Sequence, residues 1–313
     1  MGELRVRPAS ELDIPQIVEL LKRSLGESLI KKSAEVWRYK HIDNPFGPSI
    51  VLLAHAGARL VGVRALMRWC WQRGEQSAIA FRAVDTATDP AFQGRGIFKR
   101  LTMAALEIAR EQGGQFVFNT PNKQSRPGYL KMGWKSQGKL RLAVAPAWGC
   151  RSWSTDQVID RNPDPQHFAE LCQIEERRLV QLGRWFTPKS LPYLQWRYRD
   201  CPLQNYLVLE KPQAYCAACI RQHGRVNELR LCDTLTDGSA LARRQVLSAV
   251  RQWARQHGCN LVTAADRSVL KWSLLGRYGP ELTIRNLQSE ASVSDGDWAI
   301  PGWAYSLGDL ELF

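Results

Sequence analysis

The sequence predicts an α/β protein, a mixed sheet of strands interleaved with helices, built twice in tandem. Three observations predict it. Segments with a two-residue apolar period alternate with segments of helical period along the whole chain. One strand-like run, Ala80 to Thr88, passes through a glycine-bearing loop directly into a helical segment. Three short patterns of the first half recur in the second half in the same order.

Taken in order, Leu4 to Pro8 alternates as a first strand. Ser10 and Asp13 then offer caps for a helix through about Leu25, with Ile14, Ile17, Val18, Leu20 and Leu21 on one side. Ser33 can cap a short second helix carrying Trp37-Arg38-Tyr39-Lys40. After the turn at Asn44-Pro45-Phe46-Gly47-Pro48, Ile50 to His55 and Leu60 to Trp69 read as a hairpin closed by Ala56-Gly57-Ala58. A further turn near Gly74 leads to the strand ending at Thr88. The helix Lys99 to Ala109 ends at Gly113-Gly114, and Gln115 to Asn119 reads as a short buried strand. The order is thus β-α-α-β-β-β-α-β-α-β.

The repeats are specific. Trp37-Arg38-Tyr39-Lys40 returns as Trp196-Arg197-Tyr198-Arg199, and Ala109 to Gly113 returns as Ala254 to Gly258. The strand Arg82 to Asp89 returns as Arg230 to Asp237. We place the boundary in Ala147 to Pro165, where Gly, Ser, Asn and Pro collect, giving domains 1–150 and 151–313. The final Trp303-Ala304-Tyr305-Ser306 reads as a last strand.

The loop between strand and helix is where chemistry is expected. The first helical turn has unpartnered N–H groups and a positive dipole end. Gly94 and Gly96 let backbone approach an anion, and Arg95 adds charge, so Gln93 to Phe98 forms a cradle for a pyrophosphate. No Gly-Lys-Ser/Thr follows, so it is not a Walker loop, and the dinucleotide pattern G-x-G-x-x-G is absent. The loop resembles motif A of the GNAT acetyltransferases, Gln/Arg-x-x-Gly-x-Gly/Ala, with Gln93 and Gly96 matching and Phe98 at the last small position. Downstream, Asn122-Lys123-Gln124-Ser125-Arg126-Pro127-Gly128-Tyr129-Leu130-Lys131-Met132-Gly133-Trp134 resembles motif B of the same superfamily at every spaced position. The element order is that of the GNAT fold, and the whole chain resembles a tandem GNAT protein.

This resemblance implies an acetyl-CoA-dependent N-acetyltransferase acting on the amine of a small molecule, such as an amino sugar or amino-acid derivative, by direct attack on the thioester. Gln93, Gly94, Arg95, Gly96, Ile97 and Phe98 would hold the pyrophosphate. Val84, Thr86 and Thr88 would line the pantetheine arm, and Asn122 would hydrogen-bond it. Tyr129 would be the general acid, since a phenol and a thiol titrate close together, at about 10 and about 8.5. Pro127 and Gly128 are unusual within a helix and bear on the orientation of Tyr129. The alternatives are transfer of another acyl group, or a non-catalytic acyl-CoA-binding or scaffold protein. No general base is assigned. Asp85 lies on the right strand, but Asp233 repeats it in the second copy, which favours a structural role for both.

The second copy lacks the site. Its loop, Asp237 to Arg243, has no Gln-x-x-Gly, and no Asn or Tyr stands at the positions of Asn122 and Tyr129. It is read as a degenerate partner. The net charge of +13 is spread, with no Lys/Arg block longer than two, so CoA phosphates rather than nucleic acid are the expected anions. Cys216 and Cys219 lie three apart in a strand-like run and so point to opposite faces, which argues against a chelating pair; no metal site is expected. Buried free thiols, no apolar run of bilayer length and no leader-like start lead to the expectation of a soluble cytoplasmic protein. The sequence assigns no oligomeric state.

Overall fold

A fifteen-residue strand and a thirteen-residue strand pair at the centre of the first sheet. The structure, a computed structural model, describes residues 4–26, 31–147, 165–265, 267–288 and 298–310. The expected linker, Ala147 to Pro165, lies mostly outside the described residues.

In chain order, β1 (Leu4–Pro8) leads through a 3-10 turn to α1 (Ile14–Leu25) and α2 (Ala34–His41). There follow β2 (Ile50–Ala56), β3 (Arg59–Arg73), β4 (Gln76–Thr88), α3 (Ile97–Glu111), β5 (Phe116–Asn119), α4 (Arg126–Lys131), β6 (Lys135–Lys139) and β7 (Leu142–Pro146). The second half holds α5 (Pro165–Gln181), α6 (Leu191–Leu194, continued as a π turn), β8 (Leu207–Lys211), β9 (Ala214–His223), β10 (Val226–Thr236), α7 (Ala240–Gln256), β11 (Leu261–Ala264), β12 (Leu274–Gly276), β13 (Glu281–Asn286) and α8 (Leu307–Leu310).

The helices start where their caps place them. The Asp13 carboxylate accepts from the Ser10 amide at 2.8 Å, and α1 follows with Ile14, Ile17, Leu20 and Leu21 buried on one stripe. The Ser33 hydroxyl accepts from the Val36 amide at 3.2 Å and starts α2. Pro127 falls in the first turn of α4, where its missing N–H costs nothing, so it starts that helix rather than kinking it. The stretch around Trp303 forms a 3-10 turn and a single bridge to Trp185, not the expected strand.

Two sheets result. The first has the order β1-β2-β3-β4-β5-β13-β6 and the second β12-β7-β11-β10-β9-β8. The halves therefore exchange strands: β13 completes the first sheet, and β7 lies inside the second. Between the sheets lies an aromatic core in which Trp69, Trp71, Phe116 and Phe118 from the first half meet Trp185, Trp196, Trp298 and Trp303 from the second. The repeated segments themselves touch: Tyr39 stacks on Trp196 at 5.0 Å, and the Trp196 indole N–H donates to the Tyr39 carbonyl. Mixed α/β architecture with two mixed sheets agrees with the fold class read from the sequence.

Candidate active site

The site starts with a divergence of strands. β4 and β5 pair in parallel only from Ala80↔Phe116 to Arg82↔Phe118. Beyond that, β5 ends at Asn119 while β4 runs on to Thr88. Residues 83–88, including Val84, Thr86 and Thr88, thus have a neighbour on the β3 side and no ladder on the other. A free strand edge offers backbone N–H and C=O groups to an extended amide-bearing ligand.

A bulge shapes this edge. Val63 pairs with Ala87 and Ala65 with Val84, so Asp85 and Thr86 together oppose Arg64. Asp85 has φ +42°, a left-handed conformation unusual outside glycine. Its carboxylate binds the Lys40 ammonium and the His41 ring, with Nε2 of His41 at 3.0 Å. Burial opposes ionisation of Asp85, but Lys40 and His41 override it and hold the carboxyl well below the ordinary carboxylate range. Burial also keeps His41 below its ordinary value. Asp85 is thus spent on two neighbours and pins the bulge. Its counterpart Asp233 sits at the equivalent bulge of β10, bound to Lys189 at 3.0 Å and accepting from the Tyr198 hydroxyl.

Asp89 is equally occupied. It accepts from the Ala91 amide at 3.1 Å and from Arg59 at 2.7 Å, which builds the turn into the glycine loop. Burial works against its charge, and Arg59 outweighs that and lowers its pKa.

The loop delivers an open helix end. Gly94 and Gly96 both have φ +74°, and a Cβ at either would meet nothing within 4 Å. Gly96 is the N-cap of α3, and no side chain caps it. The first-turn amides of α3 therefore face outward. Gln93, Gly94, Arg95 and Gly96 are exposed, and Arg95 lies over the Phe92 ring at 4.8 Å. Ile97 is buried against Gly62 of β3, where a side chain would come within 2.6 Å of its methyl group; Ile97 anchors the helix, and only its backbone faces the loop. The second copy differs at this point. The N-terminus of α7 is closed by the Ser239 hydroxyl, which accepts from the Ala242 amide at 3.0 Å.

Tyr129 projects from α4 into the same region. It is buried, edge-to-face with Phe98 at 5.5 Å and with Trp134 at 5.1 Å. Gly128 lets Phe98 approach, since a Cβ there would stand 3.1 Å from its ring. The Oδ1 of Asn122 accepts from the amides of Gln124 and Ser125, at 3.1 and 2.8 Å, so its oxygen forms the turn into α4 and its amide nitrogen is what it offers outward. β13 holds α4 at both ends. Arg126 forms a paired contact with Glu281 at 2.7 and 2.8 Å, and Arg285 donates to the Met132 carbonyl.

Arg64 was not singled out by the sequence reading, although a lone charge within Val61-Gly62-Val63-Arg64-Ala65-Leu66-Met67 is a visible anomaly. It is fully buried and donates to Tyr129 Oη at 2.7 Å and to Thr86 Oγ1. His55 and Glu75 lie on β2 and in the turn after β3, outside this cluster. Among the described residues, no group of three His, Cys, Asp or Glu side chains could hold a metal, and no helix is long and apolar enough to cross a membrane.

A strand edge freed by divergence thus meets an uncapped helix N-terminus. Residues 5–136 match the family model described as Acetyltransferase (GNAT) domain. That stretch is similar to a GNAT domain, and the fold of the chain is that of GNAT acetyltransferase structures. A GCN5-related N-acetyltransferase from Anabaena variabilis ATCC 29413 superposes over 91% of this chain and 73% of its own with TM-score 0.65 at 16% identity. One from Kribbella flavida does so over 91% and 71% with TM-score 0.64, also at 16% identity. A curated relative, the Dual-specificity RNA methyltransferase RlmN of Anaeromyxobacter sp. (strain Fw109-5), is 28% identical over 178 residues, 51% of this chain. The match spans only 43% of that protein's length.

Proposed function

We propose that this protein transfers an acetyl group from acetyl-CoA to the amine of a small molecule. One observation carries the reading: the free edge of β4 converges on the uncapped N-terminus of α3, with Tyr129 packed against Phe98 of that same helix. The first-turn amides and Arg95 would hold the pyrophosphate, and residues Val84 to Thr88 would pair with the pantetheine amides. Tyr129 would protonate the leaving sulfur. The acceptor we propose is an amino sugar or amino-acid derivative. We assign the cofactor site to residues 1–150 and a degenerate, supporting role to 151–313. The described cysteines are all free thiols, which supports a reducing, cytoplasmic setting.

The test is release of free CoA thiol from acetyl-CoA over a panel of small amines. Tyr129→Phe should lower kcat by about 100-fold or more while acetyl-CoA still binds. Binding without thiol release for any amine would favour the acyl-CoA-binding protein instead. Faster release from a longer acyl-CoA would reassign the acyl group.

A further inference from the structure

Arg64 stands in an unusual position. Its side chain is fully buried, yet among the described residues it forms no ion pair with a carboxylate. Its Nη1 donates to Tyr129 Oη and Thr86 Oγ1, while Nε and Nη2 make no hydrogen bond. The guanidinium lies over the Tyr129 and Phe98 rings at 5.3 and 5.6 Å. Arginine cannot shed its proton to escape burial. A buried cation balanced only by two hydroxyls and two ring faces is costly, and a chain tolerates it where the charge is used.

We propose that Arg64 is the positioning residue for Tyr129, holding the phenol in place and stabilising the phenolate that forms as it gives up its proton. This rests on the acyl-transfer reading above. The guanidinium occupies a lone pair of the phenol oxygen, so the phenol O–H points away from it. In the transfer the amine nitrogen bonds to the thioester carbonyl carbon and the C–S bond breaks. The sulfur takes the Tyr129 proton and leaves as CoA thiol. The phenolate then recovers a proton from solvent, to which the amine has lost its own. During this step Arg64 acquires the anionic partner it lacks at rest. An interaction that strengthens as the reaction proceeds accelerates it, whereas one present equally throughout does not. Nearby charges do not substitute for it. Asp85 is bound to Lys40 and His41, and Arg285 lies over the far ring, Trp134, at 5.9 Å.

The experiment has two readouts. In protein labelled with fluorotyrosine, the Tyr129 fluorine resonance is identified by its loss in Tyr129→Phe and followed in Arg64→Met and Arg64→Lys. Methionine fills much of the arginine stem and removes a buried unpaired charge, so the fold should persist, with melting as the control. We expect the Tyr129 resonance to shift by more than 1 ppm in Arg64→Met. We also expect kcat to fall about 100-fold in Arg64→Met, with KM for acetyl-CoA within threefold, a partial recovery in Arg64→Lys, and no further loss when Arg64→Met is added to Tyr129→Phe. An unmoved resonance overturns the positioning role whatever the activity. An equal kcat loss in both backgrounds overturns it too, since a merely structural residue would act that way. A parent that turns over no amine, with the resonance shift intact, overturns the transferase reading and leaves the Arg64–Tyr129 coupling supported.

Discussion

Gly96→Glu tests the cofactor cradle most directly. Residue 96 caps α3 with φ +74°, and a Cβ there would touch nothing within 4 Å. The substitution therefore strains backbone without clashing. A non-glycine residue in this conformation costs about 1–2 kcal/mol of stability. Gly96→Ala carries the same strain without charge and is the reference. The glutamate would occupy the end of the helix dipole and repel a bound pyrophosphate. At about 5 Å, one pair of like charges costs roughly 1 kcal/mol in water and about 3 kcal/mol at an effective dielectric near 20. Competition for the helix end adds about 0.3–1 kcal/mol. The exposed loop lies between these limits, so affinity should fall about 10- to 1000-fold relative to Gly96→Ala. The assay is calorimetric titration of acetyl-CoA at low and high salt, and the gap should narrow as salt screens the charge. Equal affinities for the two variants, within threefold, would refute placement of the pyrophosphate on this loop. No binding to the parent would refute the acyl-CoA reading itself.

Three further outcomes follow from the same geometry. Asp85→Asn removes the carboxylate that binds Lys40 and His41 and should cost about 3–5 kcal/mol by chemical denaturation. Because the folded-state pKa of Asp85 lies below its unfolded value, its stabilisation is complete above about pH 4 and is lost as pH falls below that, so the variant should show a shallower acid limb. Ser239→Ala uncaps α7 and should cost about 1 kcal/mol, with acetyl-CoA affinity unchanged; altered affinity would point to a cofactor on the second copy. Residues 1–150 expressed alone lack β13 and the carbonyls of Asp309 and Leu310 that receive Arg82, and should fail to melt cooperatively, as scanning calorimetry would show. A stable, acetyl-CoA-binding fragment would refute that dependence.

Much of this was legible in local sequence because local chemistry determines it. Gly94 and Gly96 mark a backbone that must turn left-handed before a helix, and Ser33 and Asp13 mark helix starts. The repeat of Asp85 by Asp233 led to a structural reading of both, and each is held by a buried lysine. Cys216 and Cys219 do fall on opposite faces, one in each core. What local pattern does not carry is partnership across the chain. Glu281 to Asn286 forms a strand, and a period of two says nothing of which sheet receives it. The bulge at Asp85 is invisible because it depends on register against Arg64. Trp303 has the composition of a strand residue, yet aromatic packing between the sheets, not ladder pairing, determines its place.

The strand exchange also explains why a copy without a cofactor loop persists. β13 lies between β5 and β6, the two strands that flank α4 in the chain. Its Glu281 holds the first turn of α4 through Arg126, and its Arg285 donates to the carbonyl of Met132, the C-cap. A helix of six residues has too few internal hydrogen bonds to hold a side chain by itself. Pro127 starts it, and Gly128 makes room for Phe98. The orientation of Tyr129 is therefore set from two sides, by Arg64 beneath the phenol and by β13 at both ends of its helix. The second half has Ser239 closing the helix end that is open in the first, but it cannot lose β13 without releasing the helix that carries Tyr129.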